Sequence, residues 1–426
     1  MSDNIFLKRL FQAYYREKQS EIPIINLIEQ REFGFIPWEK QIMNRHIGFS
    51  VPTNLKKFLI TNTPKHAYSS GSLYLQPEIQ DMEGKGYQGC DLIIDIDVDH
   101  FYTPCKEDHD IWHCEECGKS GKGMQKKCPN CKKQKLSTLT WICKNCLDDA
   151  KTQIIRLIYE FLIPDFKIDI GQIKIAFSGH RGYHLKIEND KVRTLTGEER
   201  REIIDYITGE NISFDILGLQ EKQGTIFGFS GENLGWAQKI IRKMEEFLRK
   251  PNSEIEELLS NKYKFGFSQN LIKSFLNYKD DFLKMLMKNE KNNWTIEGFG
   301  LITWIKFLNT IVADIGIEVD VPVSVDIHRL IRYPGSLHGK TGFKVQELYP
   351  DDLDNFYPLD EGNERLDPIV FVSKKKITQK LEITELEVPA TNLKGETFGP
   401  YMKGEIIELP HHFAVFLLCK GVAKMV

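Results

Sequence analysis

Aspartate recurs at every second position near the end of the segment DLIIDIDVDH, residues 91–100. In an extended strand successive side chains point to opposite faces, so Asp95 and Asp97 would share one face while isoleucines on the other face enter a core. Residues two apart lie roughly 7 Å apart along a strand, a distance across which two carboxylates can converge on a metal ion. A solvated acidic face is the alternative explanation. A calcium loop does not fit, because His100 and Lys106 stand where that loop needs glycine and glutamate.

A second candidate is the turn SGHRGYHLKI, which follows the strand-like segment Ile173–Phe177. Its glycines let the backbone turn sharply or approach a ligand closely. A hydroxyl, a guanidinium and two imidazoles on one turn suit an oligophosphate better than a neutral ligand. The residues that supply these groups are Ser178, His180, Arg181 and His184. A polar hairpin that binds nothing is the alternative.

The third candidate is VDVPVSVDIHRLIRYPGSLHGKTG, which begins at Val319. Apolar residues alternate with polar ones here, and this pattern predicts a strand over 319–328 with Asp326 and His328 on its polar face. Basic side chains come next along the chain: Arg329, Arg332, His338 and Lys340. A carboxylate in so basic an environment would suit a divalent cation that carries a triphosphate.

Seven of the nine cysteines lie between Cys105 and Cys146, in spacings that suit a metal rather than disulfides. Three Cys-x-x-Cys pairs, together with Cys105 and one histidine, supply eight ligands, which is enough for two closed tetrahedral zinc sites. The pairs are Cys114 with Cys117, Cys128 with Cys131, and Cys143 with Cys146.

Two pairings of these ligands are possible. In the nested pairing, which we favour, the first two pairs form a small ribbon, and Cys105 with His109 joins the last pair at its base. In the sequential pairing, Cys105 and a histidine, His109 or His113, join the first pair, and the last four cysteines form the other site. Closed sites of either kind are typical of structural zinc.

Bulk properties limit the class of protein. A chain of 426 residues with 41% hydrophobic and 27% charged residues is long enough for two or three domains with real cores. A net charge of −3 argues against a general basic coating, so nucleic acid would be bound at a local patch. Seven lysines and no acid between Gly118 and Lys135 are one such candidate, although a solvated surface explains that run equally well. The chain shows no run long enough to span a membrane and no signal peptide, so we expect a cytoplasmic protein without a membrane partner.

Taken together, the Asp-Ile-Asp strand, the Ser-Gly-His-Arg-Gly-Tyr-His turn and the Asp-Ile-His-Arg-Leu-Ile-Arg…Ser-Leu-His-Gly-Lys-Thr-Gly segment resemble the catalytic small subunit of archaeal and eukaryotic DNA primases. The archaeal form is the closer match. The likeness runs from REFGF, which begins at Arg31, to HHFAVFLLCKG near the end.

The resemblance implies roles for particular residues. Asp95, Asp97 and Asp326 would be the catalytic carboxylates that hold two Mg²⁺ or Mn²⁺ ions. The residues expected to contact nucleotide or phosphate are Ser178, His180, Arg181, His184, Arg332, His338, Lys340, Arg45 and Glu32. His180 stands where some relatives have a second arginine. Relatives with a shorter insert keep a Cys/His pair and a final Cys-x-x-Cys, which favours the nested pairing.

The resemblance also implies an activity and partners. The chain would synthesise short RNA or DNA primers de novo on a single-stranded DNA template from NTPs or dNTPs, as a nucleotidyltransferase in replication. It would pair with a primase large subunit that carries an iron–sulphur cluster, and it would be nucleoid-associated in an archaeal cell. A primer-extending polymerase of the same superfamily and a non-catalytic zinc-ribbon subunit that binds nucleic acid are the alternatives.

The expected fold class is α/β (α+β), with a catalytic core of mixed sheets flanked by helices. We assign the core to residues 1–104, 147–232 and 300–426 and the zinc module to 105–146. Lys- and Glu-rich helical patterning predicts an inserted helical subdomain at 233–299.

Overall fold

A computed structural model describes residues 3–231, 234–288, 293–360, 362–373 and 375–426. The chain divides into two compact units. The first unit comprises residues 1–155, 169–201 and 319–426, and the second comprises residues 156–168 and 202–318. Within the described residues, no helix is both long enough and apolar enough to cross a membrane.

The first unit contains a five-stranded antiparallel sheet. Its strands are Arg31–Ile36, Asn44–Ile47, His66–Tyr74, Tyr87–Cys90 and Leu330–Arg332. The His66–Tyr74 strand is central and pairs with the strands Arg31–Ile36, Tyr87–Cys90 and Leu330–Arg332. Pairing with Leu330–Arg332 sets Arg332 opposite Tyr68. The sheet thus brings a basic residue from late in the chain next to a strand from its first quarter.

A four-stranded antiparallel sheet carries the acidic segment. Its strands, in spatial order, are Gln346–Leu348, Ile173–Phe177, Gly182–Ile187 and Leu92–Asp97. Ile94 and Ile96 are fully buried, whereas Asp95 and Asp97 are partly exposed on the other face. Tyr183, Leu185 and Ile187 of the neighbouring strand are fully buried in the same alternation. The predicted period of two is therefore present, because one face of this sheet packs into the core.

Helices flank these sheets in the first unit, as the expected mixed fold requires. They are Asp3–Glu17, Pro52–Asn62, Lys106–His109, Lys144–Arg156, Asp190–Arg193, Val321–Val325 and His411–Lys420, with Gly197–Thr208 continuing into the second unit. Short 3-10 turns lie at Ile28–Gln30, Val98–His100, Ile170–Gln172 and Pro350–Asn355. The helix His411–Lys420 is buried from Phe413 to Cys419 and ends at Gly421, whose φ of 75° favours glycine.

The cysteine-rich segment forms a small sheet of its own, in the order Ser120–Lys122, Ile111–Cys114, Leu136–Leu139. Trp112 packs there with Cys114 and Cys128 in a compact cluster. Near the C-terminus, Thr378–Ile383 pairs with Ile406–Pro410 and Ala423–Met425. Two further strand pairs are Glu387–Val388 with Tyr401–Met402 and Thr391–Leu393 with Glu396–Phe398.

The strand predicted over 319–328 is wrong. Val321–Val325 is a short helix, and the strand that follows covers only Leu330–Arg332. Pro322 in the first turn of that helix has a fixed φ and no N–H to donate, so it suits a helix start better than a sheet interior. The N–H of Val323 donates to the Asp320 carbonyl at 3.1 Å and closes the turn. Asp326 and His328 therefore do not share a strand face.

The second unit is mainly helical. Its helices are Phe214–Leu217, Trp236–Leu248, Asn252–Ser260, Gln269–Lys288 and Leu301–Ile315, with a π-helical turn at Leu157–Leu162 and a hairpin of Gln220–Lys222 and Thr225–Phe227. An aromatic cluster that includes Phe247, Phe275, Trp304 and Phe307 fills its core. This unit includes the described part of the predicted helical subdomain, 233–299, and extends beyond it on both sides.

Candidate active site and metal centres

The two paired aspartates lie at the end of the strand Leu92–Asp97. Its antiparallel neighbour sets His184 opposite Asp95 and Gly182 opposite Asp97. A Cβ atom at Gly182 would lie 2.3 Å from the Ile96 carbonyl oxygen and 2.9 Å from the Asp97 Cα. Only glycine therefore allows this close approach, which sets the turn SGHRG directly beside the acidic residues.

The Asp95 carboxylate is short of partners. Burial, followed by the nearby charges of Asp97 and Asp320, raises the pKa of Asp95 well above its usual range. Its Oδ1 atom has no hydrogen-bond partner, and the closest imidazole nitrogen, His184 Nε2, lies 3.3 Å away without hydrogen-bond geometry. Burial and Asp99 likewise raise the pKa of Asp97. Crowded, desolvated carboxylates with an unsatisfied oxygen fit a divalent cation, which would supply the missing positive charge.

A carboxylate that the sequence reasoning did not select, Asp320, lies next to this pair. Its backbone N–H donates to the Asp95 carbonyl at 2.8 Å, and its side chain is 15% exposed. His100 Nε2 lies 3.3 Å from Asp320 Oδ2. Asp320 stands in the same valine–polar alternation as Asp326, so the pattern alone did not distinguish them.

Asp326 occupies a different environment. Its carboxylate is 46% exposed, lies 3.4 Å from Arg329 Nε and accepts the N–H of His328 at 2.9 Å. It is not among the charges that raise the pKa of Asp95. Within the described residues, the structure thus brings Asp320 rather than Asp326 to the paired aspartates.

One cavity of about 690 Å³ joins the acidic and basic motifs. Asp95, Asp97 and Asp99 line it, and so does Val323 of the short helix. The predicted phosphate-contacting residues that line it are Ser178, His180, His184, Arg332, His338 and Lys340. Three others, Arg181, Arg45 and Glu32, are not part of this lining.

The basic part of the cavity lining, here called the basic wall, combines neutral imidazoles with cationic side chains. It consists of His180, Arg332, His338 and Lys340. His180 and His338 stack with ring centroids 5.2 Å apart, and His66 meets His338 edge-on at 5.1 Å. Burial, followed by nearby cations, lowers the pKa of both His180 and His338 far below the usual range, so both rings are neutral at pH 7. Arg332 lies 5.1 Å above the Tyr68 ring and approaches His66 Nδ1 at 2.8 Å. These residues therefore offer hydrogen-bond donors and positive charge in the same cavity as the carboxylates.

The cysteines and one histidine form two groups whose ligand atoms lie within 4.8 Å of one another. The base cluster consists of Cys105, His109, Cys143 and Cys146, and the ribbon cluster consists of Cys114, Cys117, Cys128 and Cys131. This is the nested arrangement, and His113 is exposed and belongs to neither group. Donor sets of three thiolates with one imidazole, and of four thiolates, are those of closed zinc sites, so both clusters can hold zinc.

Comparisons with known proteins identify the family of this chain. A family model described as "DNA primase small subunit" matches residues 128–348. A DNA primase small subunit of Methanocella arvoryzae is 30% identical over 98% of this chain and 97% of its own length. The chain belongs to the DNA primase small subunit family. The corresponding protein of Archaeoglobus fulgidus is 30% identical over 100% of this chain and 99% of its own length. That of Nitrosopumilus maritimus is 27% identical, also over 100% of this chain and 99% of its own length. The chain is thus a catalytic primase subunit of archaeal type, a nucleotidyltransferase of DNA replication.

In this primase subunit, a lysine that sequence reasoning passed over lies behind the basic wall. Lys420 Nζ lies 2.9 Å from His180 Nε2 and donates to the Thr140 carbonyl at 2.7 Å. Burial, followed by the charge of Arg181, lowers the pKa of Lys420 to about 7. When Lys420 is the charged ammonium it can only donate, and the neutral His180 ring then accepts at Nε2 and carries its hydrogen on Nδ1. A lone lysine near the C-terminus carries no spacing signal that could have revealed this role.

Arg181, by contrast, does not line the cavity of the primase subunit, and its guanidinium forms hydrogen bonds within the protein. Its side chain is 1% exposed, and its Nη1 lies 2.8 Å from Asp110 Oδ1 and 2.9 Å from the Trp141 carbonyl. Its Nε donates to Asp99 at 2.8 Å. Burial opposes the charge, but Asp99 and Asp110 outweigh it and raise the pKa of Arg181. The structure therefore gives this guanidinium an internal role in place of an open phosphate-binding one.

Glu32 is buried outside the cavity, where it pairs with the partly exposed Arg45 and the buried Lys85. Arg45 Nε donates to Glu32 Oε1 at 2.9 Å, and Lys85 Nζ donates to Glu32 Oε2 at 2.7 Å. Burial alone would raise the pKa of Glu32, but these two hydrogen bonds hold it below its usual range. Arg45 also donates to the His328 carbonyl at 2.9 Å, which ties these residues to the segment that follows Asp326.

Proposed function

We propose that this primase subunit starts primers de novo on single-stranded DNA by joining nucleoside triphosphates. The observation that supports this most directly is one cavity in which the carboxylates of Asp95 and Asp97 face phosphate-suited groups of two other motifs. Synthesis without a primer requires two nucleotides to be held together, so positioning is a large part of the catalysis.

We propose Asp95, Asp97 and Asp320 as the ligands of two Mg²⁺ or Mn²⁺ ions. When bound there, such ions would activate the attacking 3′ hydroxyl and stabilise the departing pyrophosphate. The strand pair fixes Asp95 and Asp97, while the N–H of Asp320 on the Asp95 carbonyl holds the third carboxylate nearby. Asp326, the third ligand expected from the sequence, is not proposed for this role.

We propose that the triphosphate contacts Arg332, Lys340, His338 and the turn Ser178–His184. Arg332 and Lys340 supply charge, and the neutral rings of His180 and His338 supply polarised N–H donors that need not be desolvated when a nucleotide arrives. Ser178 is held in place because its Oγ accepts the N–H groups of His180 at 3.3 Å and Gly182 at 3.2 Å. Glu32 and Arg45 would act from outside the cavity.

We further propose that zinc occupies both cysteine clusters as a structural ion. Outside these clusters the sequence has only Cys90 and Cys419, and both are buried. An iron–sulphur cluster would therefore have to be carried by the partner, which we propose to be a primase large subunit. The heterodimer would act in the cytoplasm, at the nucleoid.

Replacing Lys420 with methionine should raise the KM for NTP by about tenfold and change kcat less, because charge-assisted hydrogen bonds contribute about 1.5–3 kcal/mol. With the pKa of Lys420 near 7, the ammonium form prevails below neutral pH. Nucleotide affinity of the wild type should therefore weaken between about pH 6 and about pH 8 more steeply than that of the variant. Equilibrium titration with a fluorescent NTP across this range measures the effect.

Lys424→Met is the matched control, because Lys424 lies four residues further on, is 52% exposed and pairs with Glu382 on the surface. It should leave both the KM and the pH profile unchanged. Equal pH profiles for the wild type and Lys420→Met would contradict a role of Lys420 in nucleotide binding.

The proposed function is tested with purified protein, an unprimed single-stranded DNA template, labelled nucleotides and Mg²⁺ or Mn²⁺. Short products from the unprimed template are the expected result. Extension only of a supplied primer would favour a primer-extending polymerase of the same superfamily, or initiation that needs the large subunit. Inactivity in both assays with the large subunit present would contradict the catalytic proposal.

A further inference from the structure

A short helix ties the base cluster to the acidic strand. The helix Lys106–His109 begins directly after the ligand Cys105 and ends at the ligand His109. The chain segment Val98–His100, here called the post-aspartate turn, begins directly after Asp97 as a 3-10 turn. Two residues of the zinc module contact that turn, directly or through Arg181. They are Lys106, in this helix, and Asp110, directly after it.

The first contact comes from Lys106. Its side chain is fully buried, and its Nζ donates to the carbonyls of Val98 and, at 2.6 Å, Phe101. Val98 is the first residue of the post-aspartate turn, and Phe101 directly follows the turn. A buried ammonium is costly without acceptors, and the carbonyls would be unsatisfied without it, so this contact specifies one position of the helix relative to the turn.

The second contact runs through Asp110. Its carboxylate lies 2.9 Å from His109 Nδ1 and 2.8 Å from Arg181 Nη1. Arg181 in turn donates to Asp99 from Nε at 2.8 Å, and its carbonyl accepts the N–H of Val98 at 3.2 Å. A continuous series of hydrogen bonds thus leads from a ligand of the base cluster to the post-aspartate turn.

The turn, in turn, acts on the catalytic carboxylate. The N–H of Asp99 donates to Asp97 Oδ1 at 2.9 Å, so the position of the turn orients the Asp97 side chain. We propose that metal occupancy of the base cluster positions Asp97 for catalysis, with Lys106, Asp110 and Arg181 as the positioning residues. This inference rests on the proposed function, which makes Asp97 a ligand of the catalytic ions.

The ribbon cluster provides an internal contrast. Its four cysteines make none of these contacts among the described residues. The segment between its two cysteine pairs meets the region through the N–H of Gly123 on the Asp110 carbonyl at 2.8 Å, through Met124 Sδ, 3.6 Å from Lys106 Nζ, and through the strand pairing of Lys122 with Ile111. Loss of metal from the ribbon cluster should therefore leave the post-aspartate turn in place.

The test compares Cys143→Ser, which damages the base cluster, with Cys128→Ser, which damages the ribbon cluster, in the full chain. Asp110→Asn is the third variant, since it retains the side-chain shape and breaks the charge pair with Arg181 without removing a metal ligand. Zinc content identifies which sites are filled. Hydrogen exchange of the amides of Val98, Asp99 and Phe101, and Mn²⁺ titration followed by electron paramagnetic resonance, report on the turn and on the carboxylates.

We expect Cys143→Ser and Asp110→Asn to exchange these amides about tenfold faster and to bind Mn²⁺ about tenfold more weakly, the lower end of the range for lost outer-shell partners of a metal site. Cys128→Ser should differ from the wild type by less than about twofold in both measurements. Asp110→Asn should retain zinc, which separates positioning from loss of the module.

Unchanged exchange in Cys143→Ser and Asp110→Asn, or equal acceleration in Cys128→Ser, would overturn the inference. If the wild type bound no Mn²⁺ at the aspartates but exchange still accelerated only in the base-cluster variants, the positioning of the turn would stand and the proposed catalytic ions would be wrong. The two failures are therefore distinguishable.

Discussion

Asp95→Asn is expected to lower primer synthesis by ~10³-fold or more without making the protein less stable. A metal clamp on the reacting oxygens contributes several kcal/mol to stabilisation of the transition state, and each ~1.4 kcal/mol is a factor of ten in rate. Asparagine has nearly the same size as aspartate, so the strand and its pairing with His184 should be retained. Initial rates on an unprimed template, with Mg²⁺ and with Mn²⁺, measure the loss.

Stability is the second half of this prediction. The raised pKa of Asp95 means that the folded protein disfavours the ionised form of this side chain. Without added divalent cation, the free energy of unfolding should therefore fall as pH rises from the pKa of Asp95 in the unfolded chain to its raised pKa in the folded protein. Asparagine removes that unfavourable charge. Thermal unfolding without added Mg²⁺ or Mn²⁺ should therefore show the stability of the variant increasing relative to that of the wild type as pH rises above about 4, the ordinary pKa of an aspartate in an unfolded chain.

Added Mn²⁺ should reverse the order, because only the wild type retains the full set of carboxylates. Asp190→Asn is the control, since the Asp190 side chain is 97% exposed on the same unit. It should keep activity within about twofold of the wild type, in line with the small effects of surface substitutions. Substantial primer synthesis by a well-folded Asp95→Asn protein would contradict the assignment of this residue.

Asp320→Asn should be as damaging to synthesis as Asp95→Asn, whereas Asp326→Asn should keep activity within about threefold, since an exposed ion pair contributes about 0–1 kcal/mol. The two residues lie in one segment and differ in what they contact. Asp320 adds to the charge around Asp95, while Asp326 is nearly half exposed and close to Arg329. An asparagine at 326 can still accept the N–H of His328, so the local turn should survive.

Mn²⁺ affinity provides a measurement independent of turnover. It should fall for Asp320→Asn and remain close to the wild-type value for Asp326→Asn, with thermal unfolding used to confirm that both proteins fold. The opposite order of effects would return the third position to Asp326 and reject the contacts on which Asp320 is chosen.

Local patterns in the sequence predicted much of this site. Strict alternation identified the strand Leu92–Asp97 because one of its faces packs into a core, and closely spaced cysteines indicated two metal centres. Such features depend on neighbours within a few residues, and chain order alone reveals them.

The misassigned and overlooked residues depend on distant partners. Valine alternation around Pro322 suggested a strand, but the proline favours a helical turn, and the choice between Asp320 and Asp326 depends on contact with Asp95. Arg181 sits in a motif suited to phosphate, yet Asp99 and Asp110, far from it in sequence, occupy its guanidinium. Lys420 carries no pattern, and only the fold brings it to His180.

The contact between Asp320 and Asp95 also bears on how the chain folds. The whole of 202–318 lies between these residues in sequence and belongs to the other compact unit. Contacts between residues so far apart in sequence close long loops, and topologies rich in such contacts fold slowly. We therefore expect the aspartate cluster to assemble late in folding, after the hairpin Ile173–Ile187 has formed, so that a kinetic intermediate would have native-like sheets before it gains tight Mn²⁺ binding.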